Sequence, residues 1–348
     1  MNIIHILWNF TSGGVQNMLI DIVNEQSKKN GVTIIAIDSN PDERLLAMLD
    51  NRVEFISLGR ISGKKDPFVI LRLNFEIWRR NLDIIHVHMQ GITKWIYSRK
   101  PIVATIHNAF ERNASKEYDR YQKIFSISEA VKQYTLNVNN HDSVVVYNGI
   151  NTEKINCTQV KKLHSDGYLH FVEIGRLTKI KGQLVVLEAF NILINQLGYK
   201  KIKMDFIGDG DLKPEMESLI HKYNLEGHVQ LLGMRTKDDI YPILCNYDCY
   251  IQPSISEGFG LTIVEAMCAK LPIITSNLEG PMEVIGGGRY GRSFISENVE
   301  DLVSAIVDYL QNPPTTEQIE SAYHFAKENF NISKVVAKYE SEYTNLNV

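Results

Sequence analysis

Long apolar runs are missing from this chain. No stretch approaches the ~20 residues that cross a bilayer, and the opening Met1-Asn2-Ile3-Ile4-His5 has no basic leader. The expectation is a protein that neither spans a membrane nor carries a secretion signal. Cysteine is scarce too: Cys157, Cys245, Cys249 and Cys268 lack the Cys-x-x-Cys spacing of a zinc site and are too few for a disulfide framework. That fits a reducing cytosol. A strong charge of either sign is also absent. Net charge is −4, with 18 Lys+Arg against 15 Asp+Glu in residues 1 to 150 and 19 against 26 after them. The first half is the more basic and is the side expected to face anionic lipid or an anionic acceptor; nothing suggests nucleic acid. What is present is an ordinary globular composition, 44% hydrophobic and 22% charged. At 348 residues, two domains of roughly 150 to 180 residues are expected.

Short Ile- and Val-rich runs recur, each followed by a turn signal and an amphipathic stretch, the pattern of βαβ units on a parallel sheet. Strands are predicted at Ile3 to Leu7, Val32 to Ile37, Val53 to Ser57, Ile84 to His88, Ile102 to Ile106, Lys123 to Ile127 and Ser143 to Val146. A second series follows at His170 to Ile174, Lys203 to Ile207, Val229 to Leu231, Cys249 to Gln252, Ile273 to Thr275 and Gly291 to Ile295. Two doubly wound α/β sheets result. The polar stretch Asn151 to Tyr168 reads as the interdomain linker. In such sheets ligands lie beyond the carboxyl ends of the strands, which directs attention to the loops there.

The sharpest loop is Ser254-Ile255-Ser256-Glu257-Gly258-Phe259-Gly260-Leu261-Thr262, which leaves a strand and opens a helix carrying Glu265. The unpaired N–H groups of a helix start and its dipole favour a phosphate, and glycines let the backbone approach a ligand. Glu257 and Glu265 suit neighbouring sugar hydroxyls, but for an isolated pair of this kind the preferred reading is a dipole partner and a solvated helix residue. Gly175-Arg176-Leu177-Thr178-Lys179-Ile180-Lys181-Gly182 follows the first strand of the second half, where Arg176 and Lys181 can converge on a diphosphate or form a solvated basic loop. Ser12-Gly13-Gly14-Val15-Gln16 is a phosphate-tolerant turn with neither Gly-x-Gly-x-x-Gly spacing nor a P-loop Lys-Ser/Thr. His107 ends a strand in Thr105-Ile106-His107-Asn108, a place for a structural imidazole or for one that meets a sugar hydroxyl.

Taken together, Glu257-x7-Glu265 within Glu-Gly-Phe-Gly-Leu, the Gly175-Arg176 to Lys181-Gly182 element, Gly13-Gly14 and His107 resemble glycosyltransferase family 4. Ser126-Ile127-Ser128-Glu129, Val146-Tyr147-Asn148-Gly149-Ile150, Ile207-Gly208-Asp209-Gly210 and Leu232-Gly233 support the resemblance in the family's order. It spans nearly the whole chain. It implies the GT-B fold, two Rossmann-like domains facing a central cleft: an acceptor domain over 1–152, a nucleotide-sugar domain over 165–330, and a final helix, 331–348, crossing back to the first domain.

The resemblance further implies that Arg176 and Lys181 bind the donor diphosphate and Glu265 the ribose. Glu257 with Gly258, Phe259, Gly260 and Leu261 would hold the transferred sugar, with Thr262 near the phosphates. Gly233 and Met234 would lie beside the base, Gly13 and Gly14 at the phosphates, and His107 at the donor sugar. The implied catalytic set is Glu257, His107, Arg176 and Lys181. The implied reaction retains anomeric configuration, uses no metal or other cofactor, and takes a hexose or N-acetylhexosamine from a UDP-sugar. Its acceptor would be a glycan or a polyprenyl-diphosphate-linked glycan, in cytoplasmic assembly of a bacterial capsule, exopolysaccharide or O-antigen. A nucleotide-sugar epimerase, a glycan phosphorylase or a non-catalytic sugar-nucleotide sensor shares the architecture.

Three features compete with this reading. Asp209-Gly210-Asp211 imitates the Asp-x-Asp of metal-dependent transferases, but its place before a helix favours turn and N-cap roles. His86-Val87-His88 is half of a metal site with no further ligand at useful spacing, so a structural or acceptor-side role is expected. Between Arg60 and Arg80, Lys64, Lys65, Arg72, Arg79 and Arg80 interleave with Phe68, Ile70, Leu71, Phe75 and Trp78. That segment is either an amphipathic helix on an anionic membrane or, preferably, a helix packed on the sheet with a solvated basic face.

Overall fold

The computed structural model of the protein describes residues 1–11, 13–107, 115–157 and 166–346. Ser12, Asn108 and residues 158–165 of the linker lie outside the described residues. The chain divides into two compact units, one of Met1–Asn151 with Phe330–Val348 and one of Thr152–Asn329.

The first unit is built on seven parallel strands: β1 (Asn2–Leu7), β2 (Gly31–Asp38), β3 (Val53–Arg60), β4 (Ile84–Val87), β5 (Ile102–Ile106), β6 (Lys123–Ser126) and β7 (Val144–Val145). Their order is β3-β2-β1-β4-β5-β6-β7. β1, β2, β4 and β5 are buried almost end to end, which is why they read as unbroken Ile/Val runs. Helices α1 (Gly14–Gln26), α2 (Glu43–Leu46), α3 (Phe68–Trp78), α4 (Ser115–Tyr118) and α5 (Glu129–Asn139) connect them. Ser128 starts α5 by accepting the Val131 N–H.

The second unit holds β8 (Leu169–Ile174), β9 (Ile202–Ile207), β10 (Val229–Leu231), β11 (Cys249–Gln252), β12 (Ile273–Ser276) and β13 (Arg292–Phe294), in the order β10-β9-β8-β11-β12-β13. Its helices are α6 (Gln183–Asn191), α7 (Lys213–Lys222), α8 (Lys237–Leu244), α9 (Leu261–Cys268), α10 (Glu279–Val284), α11 (Val299–Gln311) and α12 (Thr316–Asn329). A core of Phe171, Phe190, Met204, Phe206, Ile251 and Ile306 fills one face of this sheet. Both sheets follow the doubly wound order of dinucleotide-binding folds. The order reverses between β1 and β4 in one unit and between β8 and β11 in the other. Crevices open at such reversals.

After α12 the chain returns to the first unit as α13 (Ile332–Thr344), whose start is capped by the Asn331 side chain accepting from Ser333. Val335, Val336, Tyr339 and Tyr343 are its buried face. Cys157 and Cys245, 88 residues apart, are bonded to each other with a Cα–Cα distance of 5.6 Å, while Cys249 and Cys268 are free and buried. The expectation of too few cysteines for a disulfide framework thus misses this one bridge, because a separation of 88 residues leaves no spacing signal. Among the described residues, no helix is long and apolar enough to cross a membrane.

Candidate functional site

At the reversal of the second sheet, the loops after β8 and β11 pack backbone to backbone. Gly182 sits at φ +71, and a Cβ there would lie 2.0 Å from the Pro253 carbonyl oxygen. A Cβ on Gly208 would lie 1.9 Å from the Gly175 carbonyl oxygen. No side chain fits at either place, so the loops that carry Arg176, Lys181, Asp209 and Glu257 are pinned by glycine.

The side chains then converge. Lys181 Nζ donates to Glu257 Oε2 at 2.6 Å, and Gln252 Nε2 donates to the same oxygen at 3.2 Å. Gln252 Oε1 in turn accepts from Thr262 Oγ1 at 2.9 Å and from the Tyr250 hydroxyl at 3.1 Å. Lys181, Glu257 and Thr262 thus belong to one hydrogen-bonded group, with Phe259 buried in the same loop and Gly260 opening α9. Arg176 is exposed on the neighbouring loop, and among the described residues nothing hydrogen-bonds or ion-pairs with its guanidinium.

One turn into α9, Glu265 is only 5% exposed. It accepts from the Tyr241 hydroxyl at 3.0 Å and lies 3.6 Å from Lys237 Nζ. The alternative of a solvated helix residue therefore falls for Glu265: two side chains of α8 hold it, and nothing in the local sequence announces that. Gly233 takes φ +72 and accepts the Gly208 N–H through its carbonyl, with Met234 exposed beside it. Asp209 Oδ1 accepts from the Gly210 N–H, which is a turn role, whereas the residue preceding α7 is Leu212 and not Asp211. The N-cap half of that expectation is corrected.

Sequence reading missed Glu173. It is the penultimate residue of β8, buried, with Oε1 accepting from Gln183 Nε2 at 3.3 Å and Oε2 without a partner among the described residues. Burial pushes its carboxyl up to about 8 against the opposing pull of the Lys181 charge and the Gln183 bond. A glutamate inside Phe171-Val172-Glu173-Ile174 was the available signal.

The reversal of the first sheet holds a second polar group. His5 and His86 are register partners on β1 and β4, and His88 stacks on His86 with ring centroids 4.2 Å apart. Nitrogens of His5, His86 and His88 come within 4.8 Å of one another. The expectation that His86 and His88 lack a further histidine is therefore corrected: a residue 81 positions earlier in the chain arrives by strand pairing. All six of their ring nitrogens are engaged. His5 meets Gln26 Oε1 at 2.7 Å and His88 Nε2 at 2.9 Å; His86 meets the Tyr343 hydroxyl at 2.6 Å and Thr105 Oγ1 at 2.7 Å; His88 Nδ1 meets His107 Nε2 at 3.2 Å. Burial lowers every one of these imidazoles below its ordinary range, His5 and His107 to about 4, so they are neutral at pH 7. Gly13 and Gly14 stand at the start of α1, with no side-chain cap on the first turn.

Helix α3 buries Val69, Leu73 and Ile77 against its unit and exposes Phe68, Leu71, Phe75 and Trp78, the last 82% exposed. The preferred expectation of a helix packed on its unit with a solvated basic face holds for the packing and for exposed Arg72 and Arg79, while the same outward surface also carries the four exposed apolar side chains.

Comparison with known proteins places the whole chain. Residues 157–324 match the model for glycosyl transferases group 1, and residues 12–154 match that for glycosyltransferase family 4. The O-antigen biosynthesis glycosyltransferase WclY of Escherichia coli is 23% identical, with the match covering 99% of each chain. The crystal structure of a glycosyltransferase from Rickettsia africae superposes with a TM-score of 0.83 at 24% identity, covering 99% of this chain and 98% of that one. HepE from Anabaena in complex with UDP gives 0.80 at 19% identity, covering 99% and 100%. At such identities the two structures establish the shared fold.

Proposed function

The chain belongs to glycosyltransferase family 4 and has the GT-B architecture, and from that membership we propose that it transfers a hexose or N-acetylhexosamine from a UDP-sugar, with retention and without a metal. The acceptor in this reading is a glycan or lipid-linked glycan of a bacterial capsule, exopolysaccharide or O-antigen. The observation that carries it is the Lys181 ammonium 2.6 Å from Glu257, on glycine-pinned loops at a sheet reversal beside a helix start. WclY acts in O-antigen biosynthesis and HepE binds UDP, which supports the choice of acceptor and of nucleotide.

Each side chain then has a physical task. Lys181 and Arg176 stabilise the charge that accumulates on the departing diphosphate, aided by the first N–H groups of α9 and by Thr262. Glu257, with the backbone from Gly258 to Leu261, accepts from hydroxyls of the transferred sugar. Glu265, oriented by Tyr241 and Lys237, accepts from the ribose. Gly233 and Met234 serve the base, Gly13 and Gly14 the phosphates, and His107 the transferred sugar. The acceptor hydroxyl attacks on the face the diphosphate leaves, its oxygen forming the new bond to the anomeric carbon while its proton passes to the departing diphosphate oxygen. No side chain has to act as nucleophile; positioning and leaving-group stabilisation supply the rate. The exposed apolar stripe of α3 with its flanking arginines supports a peripheral seat on the inner face of the cytoplasmic membrane, where lipid-linked acceptors are met.

A panel of nucleotide-sugars screened by thermal shift, followed by product analysis with the donor that shifts most, tests the reading. Acceptor-dependent release of UDP with an unchanged anomeric configuration is expected. Isomerised donor, phosphorolysis, or binding without turnover would replace it with the epimerase, phosphorylase or sensor alternative.

A further inference from the structure

Gln26, His5, His88 and His107 form one unbroken line of hydrogen bonds, at 2.7, 2.9 and 3.2 Å. A neutral imidazole has one N–H and one bare nitrogen, so in such a line the choice at one end dictates every later one. Gln26 turns its amide so that the carbonyl oxygen meets His5 Nε2 while its own Nε2, buried, has no hydrogen-bond partner among the described residues; in that orientation this end of the line only accepts. His5 must then carry its proton on Nε2, leaving Nδ1 bare. His88 can satisfy that bare nitrogen only by donating from its own Nε2, which leaves the His88 Nδ1 bare in turn. His107 donates to it from Nε2. The remaining nitrogen of His107, Nδ1, is thereby a lone pair.

We propose that Gln26 is a positioning residue: through His5 and His88 it locks His107 in the tautomer whose free Nδ1 accepts a hydrogen bond from a hydroxyl of the transferred sugar. The functional half of this rests on the reading of His107 given above; the tautomer itself does not. Burial keeps the members of the line neutral, because each bond would be lost or reversed if an inner ring gained a second proton. His86, stacked on His88, is held by two hydroxyls, Tyr343 and Thr105, which donate or accept equally and so leave the polarity of the line to Gln26. A donor aimed at the same sugar hydroxyl would serve it as well in geometry but would leave its proton without an acceptor. The line excludes that alternative by chemistry from the far end of α1.

Nitrogen-15 NMR of the histidine side chains in the intact chain at pH 7, with His107 assigned through His107→Ala, reads the tautomers directly. The expected spectrum has His5, His88 and His107 each as a single neutral form protonated on Nε2. A His107 protonated on Nδ1, or a mixture of both forms, overturns the lock. Gln26→Met, similar in length and without an acceptor oxygen, is expected to release His107 into a mixture and to lower kcat/KM for the nucleotide-sugar on the order of tenfold, the size of one lost hydrogen bond. In a His107→Ala background the same substitution is expected to cost nothing further in kcat/KM, whereas a purely structural role for Gln26 would lower it equally in both backgrounds and refute the proposal. A chain showing the Nε2 form yet turning over no nucleotide-sugar would keep the lock and remove the transferase reading.

Discussion

Lys181 and Glu257, 76 residues apart, are joined at 2.6 Å in the second unit, and Gln252 binds the same carboxylate oxygen. One of the two cations of the candidate phosphate arm is therefore paired with the carboxylate proposed for the sugar. In the proposed reading a diphosphate-sugar would offer both of them new partners at once, so its arrival would exchange one ion pair for two substrate contacts without leaving a charge bare.

Replacing either cation isolates this arrangement. Arg176→Ala and Lys181→Ala are each expected to lower turnover on the order of 100-fold, the scale of a lost donor to developing oxyanion charge. Steady-state kinetics with the identified donor check it, and near-normal turnover in both variants removes the assignment.

Glu173 makes stability depend on pH. A carboxyl titrating near 8 when folded and near 4.5 when unfolded binds more protons in the folded state throughout that interval. Stability therefore falls as pH rises from about 4.5 to about 8 through this group. Glu173→Gln abolishes that contribution, so the melting temperature of the variant is expected to gain on the parent steadily between pH 5 and 8. Parallel curves would show the carboxyl ionised in both states.

Because Lys181, Arg176 and a helix start suffice for the diphosphate in this reading, activity in excess chelator is expected to equal that without it. Complete loss, restored by a divalent cation, would return Asp209 and Asp211 to consideration as ligands.

The outward stripe of α3 gives a binding experiment. The parent chain is expected to sediment with anionic vesicles in a salt-sensitive way, and Phe75→Ser with Trp78→Ser to reduce this severalfold while leaving the melting temperature within about a degree, since both side chains are exposed. A parent that stays in the supernatant at every salt concentration removes the membrane seat.

Much of the fold was readable because parallel strands buried on both faces cannot hide. Runs such as Ile102 to Ile106 leave no polar face to compete with the strand reading. Loops at the ends of those strands were readable for a related reason: the glycine at 182 is demanded by a carbonyl oxygen, not by preference. What stayed hidden depends on strands or helices meeting across long separations. His5 joins His86 only through β1–β4 pairing, Tyr241 reaches Glu265 from another helix, and Cys157 finds Cys245 across 88 residues. Glu173 was visible as a charge in an apolar strand but drew no notice, because a buried acid that ion-pairs with nothing among the described residues carries no motif. For α3, periodicity gave the buried stripe correctly, while the second apolar stripe is displaced around the helix and looks in sequence like basic interleaving.

The return of α13 to the first unit has a bearing on how the chain is made. Tyr339 and Tyr343 cover the histidines of the first sheet, yet they follow every residue of the second unit in translation order. On the ribosome the later unit is complete while the earlier one still lacks its lid, so residues 1–151 must wait, their sheet partly uncovered, until the tail emerges and seals them.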